Sequence, residues 1–61
     1  MGISLAQYII NVRMEKAMEL LHSSNLSVRE IINNVGYNSP SIFYKHFYER
    51  FNTIPFNEKN K

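Results

Sequence analysis

Apolar residues along the chain recur at helical rather than strand spacing, and they fall into three blocks. In the first, Leu5, Tyr8, Ile9, Val12, Ala17, Leu20 and Leu21 predict a helix over residues 4–22, with Ser4 as its N-cap. At about 100° per residue these positions spread over roughly 180° of the helix surface, whereas a surface helix needs a stripe of only about 100°. The first helix is therefore expected to need neighbours on two sides. Arg13 projects near the middle of that face, either as a buried stem with an ion-paired head or as a phosphate contact.

The polar run "HSSNLS" separates this block from a second, shorter one. Ser27 and Glu30 have the spacing of a capping box, and Leu26 with Ile31 that of a hydrophobic staple. Ile31, Ile32 and Val35 supply the apolar face of two to three turns, and Gly36 is placed to end them in the left-handed conformation. A third helix begins almost at once, with Ser39 as N-cap and Pro40 at the first helical position. Phe43, Phe47 and Phe51 recur at i, i+4 and i+8 as its buried edge, and Asn52 suits a left-handed C-terminal cap. Pro55 starts at most a short terminal turn, with "NEKNK" expected to fray. The fold class is all-α, with three main helices.

Spacing also sorts the faces of the third helix. With Phe43 at 0°, Phe47 and Phe51 fall at about 40° and 80°, while Tyr48, Ser41 and Lys45 lie at about 140°, 160° and 200°. A short capped helix, a glycine turn and a second helix make the pattern of a helix-turn-helix, whose second helix lies in the DNA major groove. Lys45 and Ser41 carry groups suited to base edges or phosphates, and Tyr44 sits at the flank. The alternative reading is a helical protein–protein interaction module anchored by Tyr44 and Tyr48.

Composition narrows the classes further. Sixty-one residues allow one small domain of marginal stability, and the absence of cysteine removes disulfides and thiolate metal sites. A formal charge of +2 suits a nucleic-acid partner without requiring one. No run approaches the roughly 18 apolar residues of a membrane span, so no membrane partner is expected and the expected compartment is the cytoplasm. His46 and Glu49, at i and i+3, could share a metal, but two ligands do not make a site and His46 is read as structural. His22 stands at a helix C-terminus, where positive charge is favoured. No nucleophile–base pair or phosphate loop is present, so neither an enzyme nor a cofactor is expected.

The runs "SLAQYIINVRMEKAMELL", "VREIINNVGY" and "SPSIFYKHFYERFNTIP" together resemble the C-terminal part of the DNA-binding domain of AraC-type bacterial transcription regulators, over residues 4–55. The resemblance implies a homeodomain-like fold with two helix-turn-helix units joined by a long helix. Residues 4–22 then correspond to the connecting helix, 27–51 to the second unit with recognition helix 39–51, and 53–61 to a tail or short terminal helix. The first unit is expected to lie outside these residues, which accounts for the over-wide apolar face.

The resemblance further implies double-stranded DNA as partner. It puts Pro40, Ser41, Tyr44 and Lys45 toward bases, Ser27, Val28, Ser39 and Tyr48 toward phosphates, and Arg13, Gly36, Phe43 and Phe47 in structural roles. A parent protein with a sensor domain is implied, and the uncovered side of the first helix is expected to self-associate. Three positions depart from the family pattern. Ile32 replaces a usual alanine, Asn52 a usual glycine, and Glu58-Lys59 a usual Tyr-Arg. The last puts the terminal helix in doubt, with Phe56 offered as cover for the same apolar surface.

Overall fold

A computed structural model describes residues 2–59 and is helical from one end to the other. Among these residues there are four helices: α1 (Leu5–Ser23), α2 (Val28–Asn34), α3 (Pro40–Phe51) and α4 (Pro55–Lys59). Three of the four start where side-chain chemistry satisfies the free N–H groups of a first turn. Ser4 accepts from the Gln7 N–H, and Ser39 accepts from the Ile42 N–H. At α2 the capping box is complete: Ser27 Oγ accepts from the Glu30 N–H at 3.1 Å, and the Glu30 carboxylate accepts from the Ser27 N–H at 2.8 Å.

The helix ends are equally determined. Gly36 has φ +93°, a conformation open to glycine and strained for other residues. Its N–H donates to Asn33 O, and the Tyr37 N–H donates to Ile32 O, the paired bonds of a Schellman motif. Asn52 closes α3 at φ 56° and ψ 29°, its N–H donating to Tyr48 O. α1 runs one residue past the expected end, into Ser23. There Ser23 and Ser24 turn their hydroxyls back onto the carbonyls of Glu19 and Leu20.

The core gathers Met14, Ala17 and Leu21 of α1, Ile31 and Ile32 of α2, Val35 and Tyr37 of the turn, and Phe43 and Phe47 of α3. Leu26 packs against it from the loop. Phe51 packs against the same core while only partly buried. With Met14 set at 0° around α1, Ala17 and Leu21 fall at about 300° and 340°, and the partly buried Leu20, Ile10 and Met18 pack on the same core at about 240°, 320° and 40°. Leu5, Tyr8, Ile9 and Val12 lie at about 120° to 220°, on the opposite side, and all four are exposed. The wide apolar face thus divides into two stripes, of which this chain covers one. Met14 was not among the residues of the expected stripe, yet it is fully buried.

Two expectations about the C-terminal end are corrected. Residues 57–59 of the segment expected to fray are helical, within the short terminal helix that was the alternative to a tail, and Phe56 is 63% exposed rather than covering apolar surface. Buried Pro55 and polar contacts dock α4 in its place. Glu58, 7% exposed, places its carboxylate 3.2 Å from His22 Nε2, and Lys59 Nζ donates to Leu26 O at 2.9 Å. His22 at the end of α1 therefore has a specific partner in addition to the helix dipole. Residues 60 and 61 of the expected fraying segment lie outside the described residues.

Candidate nucleic-acid interface

α3 has two sides of opposite character. Phe43 and Phe47 are fully buried, with ring centroids 5.8 Å apart, and Phe51 continues the row 4.8 Å from Phe47. On the other side Ser41, Lys45 and Tyr48 are exposed, with exposed Pro40 and Tyr44 beside them. Tyr44 lies edge-on to Phe43, at 5.9 Å between centroids, so its ring meets the core while the residue stays 43% exposed. Ile42 is also exposed, at 50%, although its apolar side chain gave no sign of a surface role in the sequence.

The residues expected at phosphates lie at two helix starts. Ser39 and Val28 are half-buried, and Ser27 is exposed. Ser39 Oγ is occupied as an acceptor by the Ile42 N–H, which leaves its hydroxyl hydrogen free to donate. The Ser27 N–H is already committed to Glu30. The Ser27 N–H first, and then the Ser27 side chain, hold the Glu30 carboxyl below its usual 4.5. Val28 and Arg29, at the first two helical positions, keep N–H groups without intrahelical acceptors.

Arg13 makes a contact other than the expected ion pair. Its guanidinium lies over the Tyr37 ring, 5.4 Å from the centroid, a cation–π contact in place of an ion pair. The same guanidinium covers the turn, where a Cβ built on Gly36 would stand 3.5 Å from Arg13 Cζ. That is ordinary van der Waals distance, so the demand for glycine comes from φ rather than space. Tyr37 is itself buried, and its hydroxyl is 2.8 Å from His46 Nδ1. Burial pushes the Tyr37 phenol above its usual 10.0, against the opposing pull of the Arg13 charge. His46 is half-buried, as its structural reading requires. Sequence reasoning missed the Tyr37–His46 bond because nine residues and a helix start separate the two.

Arg50 projects away from the outward face and bonds Glu15 of α1 at 3.0 Å. A cleft of about 220 Å³ opens beside this pair, lined by Gln7, Ile10, Asn11, His46, Glu49 and Arg50. Among the described residues no group of three or more metal-ligating side chains occurs, and no helix is long and apolar enough to cross a membrane.

Residues 1–58 match the family model described as a helix-turn-helix domain. The chain is 38% identical over 54 residues to the Msm operon regulatory protein of Streptococcus mutans, covering 88% of this chain and 19% of that protein. It is 34% identical over 55 residues to the uncharacterized HTH-type transcriptional regulator YfiF of Bacillus subtilis, covering 90% of this chain and 17% of the relative. A match of 31% identity reaches Histidine kinase P4 of Formosa agariphila, over 90% of this chain and 4% of that protein. The chain thus spans less than a fifth of the length of each of these relatives. No solved structure matches it. With the capped helix, the glycine turn and the two-sided α3 already in place, the match along nearly the whole chain settles its kinship: it belongs to the AraC-type helix-turn-helix family of transcription regulators.

Proposed function

We propose that this domain binds double-stranded DNA as the C-terminal half of an AraC-type DNA-binding domain, with α3 in the major groove. The observation that carries this reading is the division of α3: a fully buried Phe43–Phe47 edge backs an exposed Ser41–Lys45–Tyr48 face at the start of a capped helix. A recognition helix reads bases from its N-terminal residues. Pro40, Ser41, Tyr44 and Lys45 occupy those positions and face the bases. Lys45 donates to guanine O6/N7, Ser41 donates or accepts, and Pro40 and Tyr44 offer apolar contact.

Phosphates flanking the groove meet Ser39 and Tyr48 hydroxyls on α3, and Ser27 and Val28 at the start of α2. With the Ser27 N–H held by Glu30, its hydroxyl and the Val28 N–H are the groups that remain. α1 serves as the connecting helix, and its uncovered Leu5–Tyr8–Ile9–Val12 stripe joins a second copy of the chain when no other segment covers it. The parent protein carries a sensor domain, a reading supported by the histidine kinase among the relatives.

Lys45→Ala tests the reading in a full-length regulator carrying this domain. It should cost about 1–3 kcal/mol at the preferred site and relax one base preference. Equal loss on all sequences, with the salt slope reduced by about one, would make Lys45 a phosphate contact. Binding indifferent to salt would refute DNA recognition and favour a protein-interaction module.

A further inference from the structure

We infer that Tyr37 and His46, with Arg13 stacked behind them, are positioning residues that set the rotation of α3 about its own axis and hence its base preference. This rests on the reading of α3 as the recognition helix. Apolar packing alone fixes that rotation loosely. Phe43 and Phe47 are both fully buried, but rings in a core can share a small rotation by sliding against their neighbours. A side-chain tip about 5–6 Å from a helix axis moves about 2 Å when the helix turns by 20°. Hydrogen bonds tolerate only about 0.5 Å in length, so such a turn moves Lys45 and Ser41 out of register with a base edge. Something directional must supply the remaining precision.

The hydrogen bond between the Tyr37 hydroxyl and His46 Nδ1, at 2.8 Å, is that directional link. His46 is on α3, next in sequence to Lys45, and Tyr37 belongs to the turn. The two rings also meet edge-on, with centroids 5.6 Å apart. Tyr37 is held independently of α3 in two ways. Its N–H closes the Schellman motif onto Ile32, and the Arg13 guanidinium lies against its face. Tyr37 also meets Phe43 edge-on at 5.5 Å, so one ring touches α3 at two points a turn apart. The chain of contact therefore runs from α1 through Arg13 and Tyr37 to His46 and the reading face. None of the three residues needs to touch DNA.

The test is enrichment of preferred sequences from a pool of duplex DNA with a randomised segment, using a full-length regulator carrying this domain and three variants. Tyr37→Phe removes only the hydroxyl, His46→Leu removes the ring nitrogen, and His46→Asn keeps a polar atom near the position of Nδ1. Affinities for the preferred and for random duplexes are then compared well below each variant's melting temperature. The preferred-to-random ratio should fall about three- to tenfold in Tyr37→Phe and His46→Leu, the scale of one hydrogen bond. Random-sequence affinity should stay within about twofold, and His46→Asn should recover much of the ratio. A merely structural bond lowers both affinities together, and that outcome, or an unchanged ratio in both variants, overturns the positioning role. A wild-type regulator that enriches no sequence would sink the groove reading itself, and the positioning role with it.

Discussion

The two faces of α1 carry similar apolar side chains and have opposite fates. On one, Met14 is 0% exposed beneath α2 and α3. On the other, Val12 is 48% exposed and Leu5 74%. The helical period places Val12 and Met14 about 200° apart, so no rotation of α1 buries both against the same neighbours. Apolarity thus marks a surface that is to be covered, while the partners available decide whether it is. Leucine, isoleucine, valine and tyrosine together on one exposed stripe are the composition of an interface rather than of a solvated face.

The largest effect that could break this comparison comes from truncating each face in turn. Met14→Ala should lower stability by about 2–5 kcal/mol, read by thermal or urea unfolding. Val12→Ala in dilute solution should stay within about 0.5 kcal/mol. Similar losses at both positions would mean that the outer stripe is packed in the isolated chain. In concentrated solution the chain should self-associate, and Val12→Glu should restore the monomer in sedimentation experiments. A wild-type chain that stays monomeric and folded throughout would refute the self-association.

The covered face ends at a polar clasp, which gives a smaller effect. His22→Ala removes one partner of the buried Glu58 carboxylate and should cost about 1–2 kcal/mol, with faster amide exchange confined to residues 55–59. Unchanged exchange there would mean that the other contacts of α4 dock it without His22.

Ser27→Ala should cost about 1 kcal/mol through loss of the capping box. The Glu30 carboxyl titrates lower in the folded chain than in the unfolded one. Its contribution is therefore present above the unfolded value of 4.5 and is lost as pH falls through the lower folded value. Glu30→Gln, which removes the titrating carboxyl, should flatten that acid limb of the stability curve.

The smallest effect is spectroscopic. The Tyr37 phenol should titrate above 10.0, and Arg13→Gln should raise it further by removing the positive charge beside it. Because the folded value is the higher one, the associated stability is present below the unfolded value near 10.0 and is lost as pH rises through the folded one. A downward shift in Arg13→Gln would show that the guanidinium is not against the ring.

The legible parts of this fold were those governed by local chemistry. Ser4, Ser27, Ser39, Gly36 and Asn52 each mark a boundary because a cap or a left-handed residue is decided within four or five positions of chain. The Phe43–Phe47–Phe51 edge was legible for the same reason, since one period generates it. Met14 was missed because flexible methionine fills whichever gap its neighbours leave, and those neighbours are distant in sequence. α4 was legible only as an alternative to a tail because its docking rests on Glu58 meeting His22 and Lys59 meeting Leu26 O, pairings 36 and 33 residues apart in sequence. The outward face of α3 could be drawn on a helical wheel. The Arg13–Tyr37–His46 link behind it could not, because it joins three separate segments.

The most direct test of the central claim is an amide shift map of the labelled chain titrated with a short duplex DNA. The largest perturbations are expected at residues 39–48 of α3 and at the Ser27–Val28 start of α2, fading as salt is raised. Perturbations centred on Leu5, Tyr8, Ile9 and Val12, with α3 silent, would contradict DNA recognition by this helix.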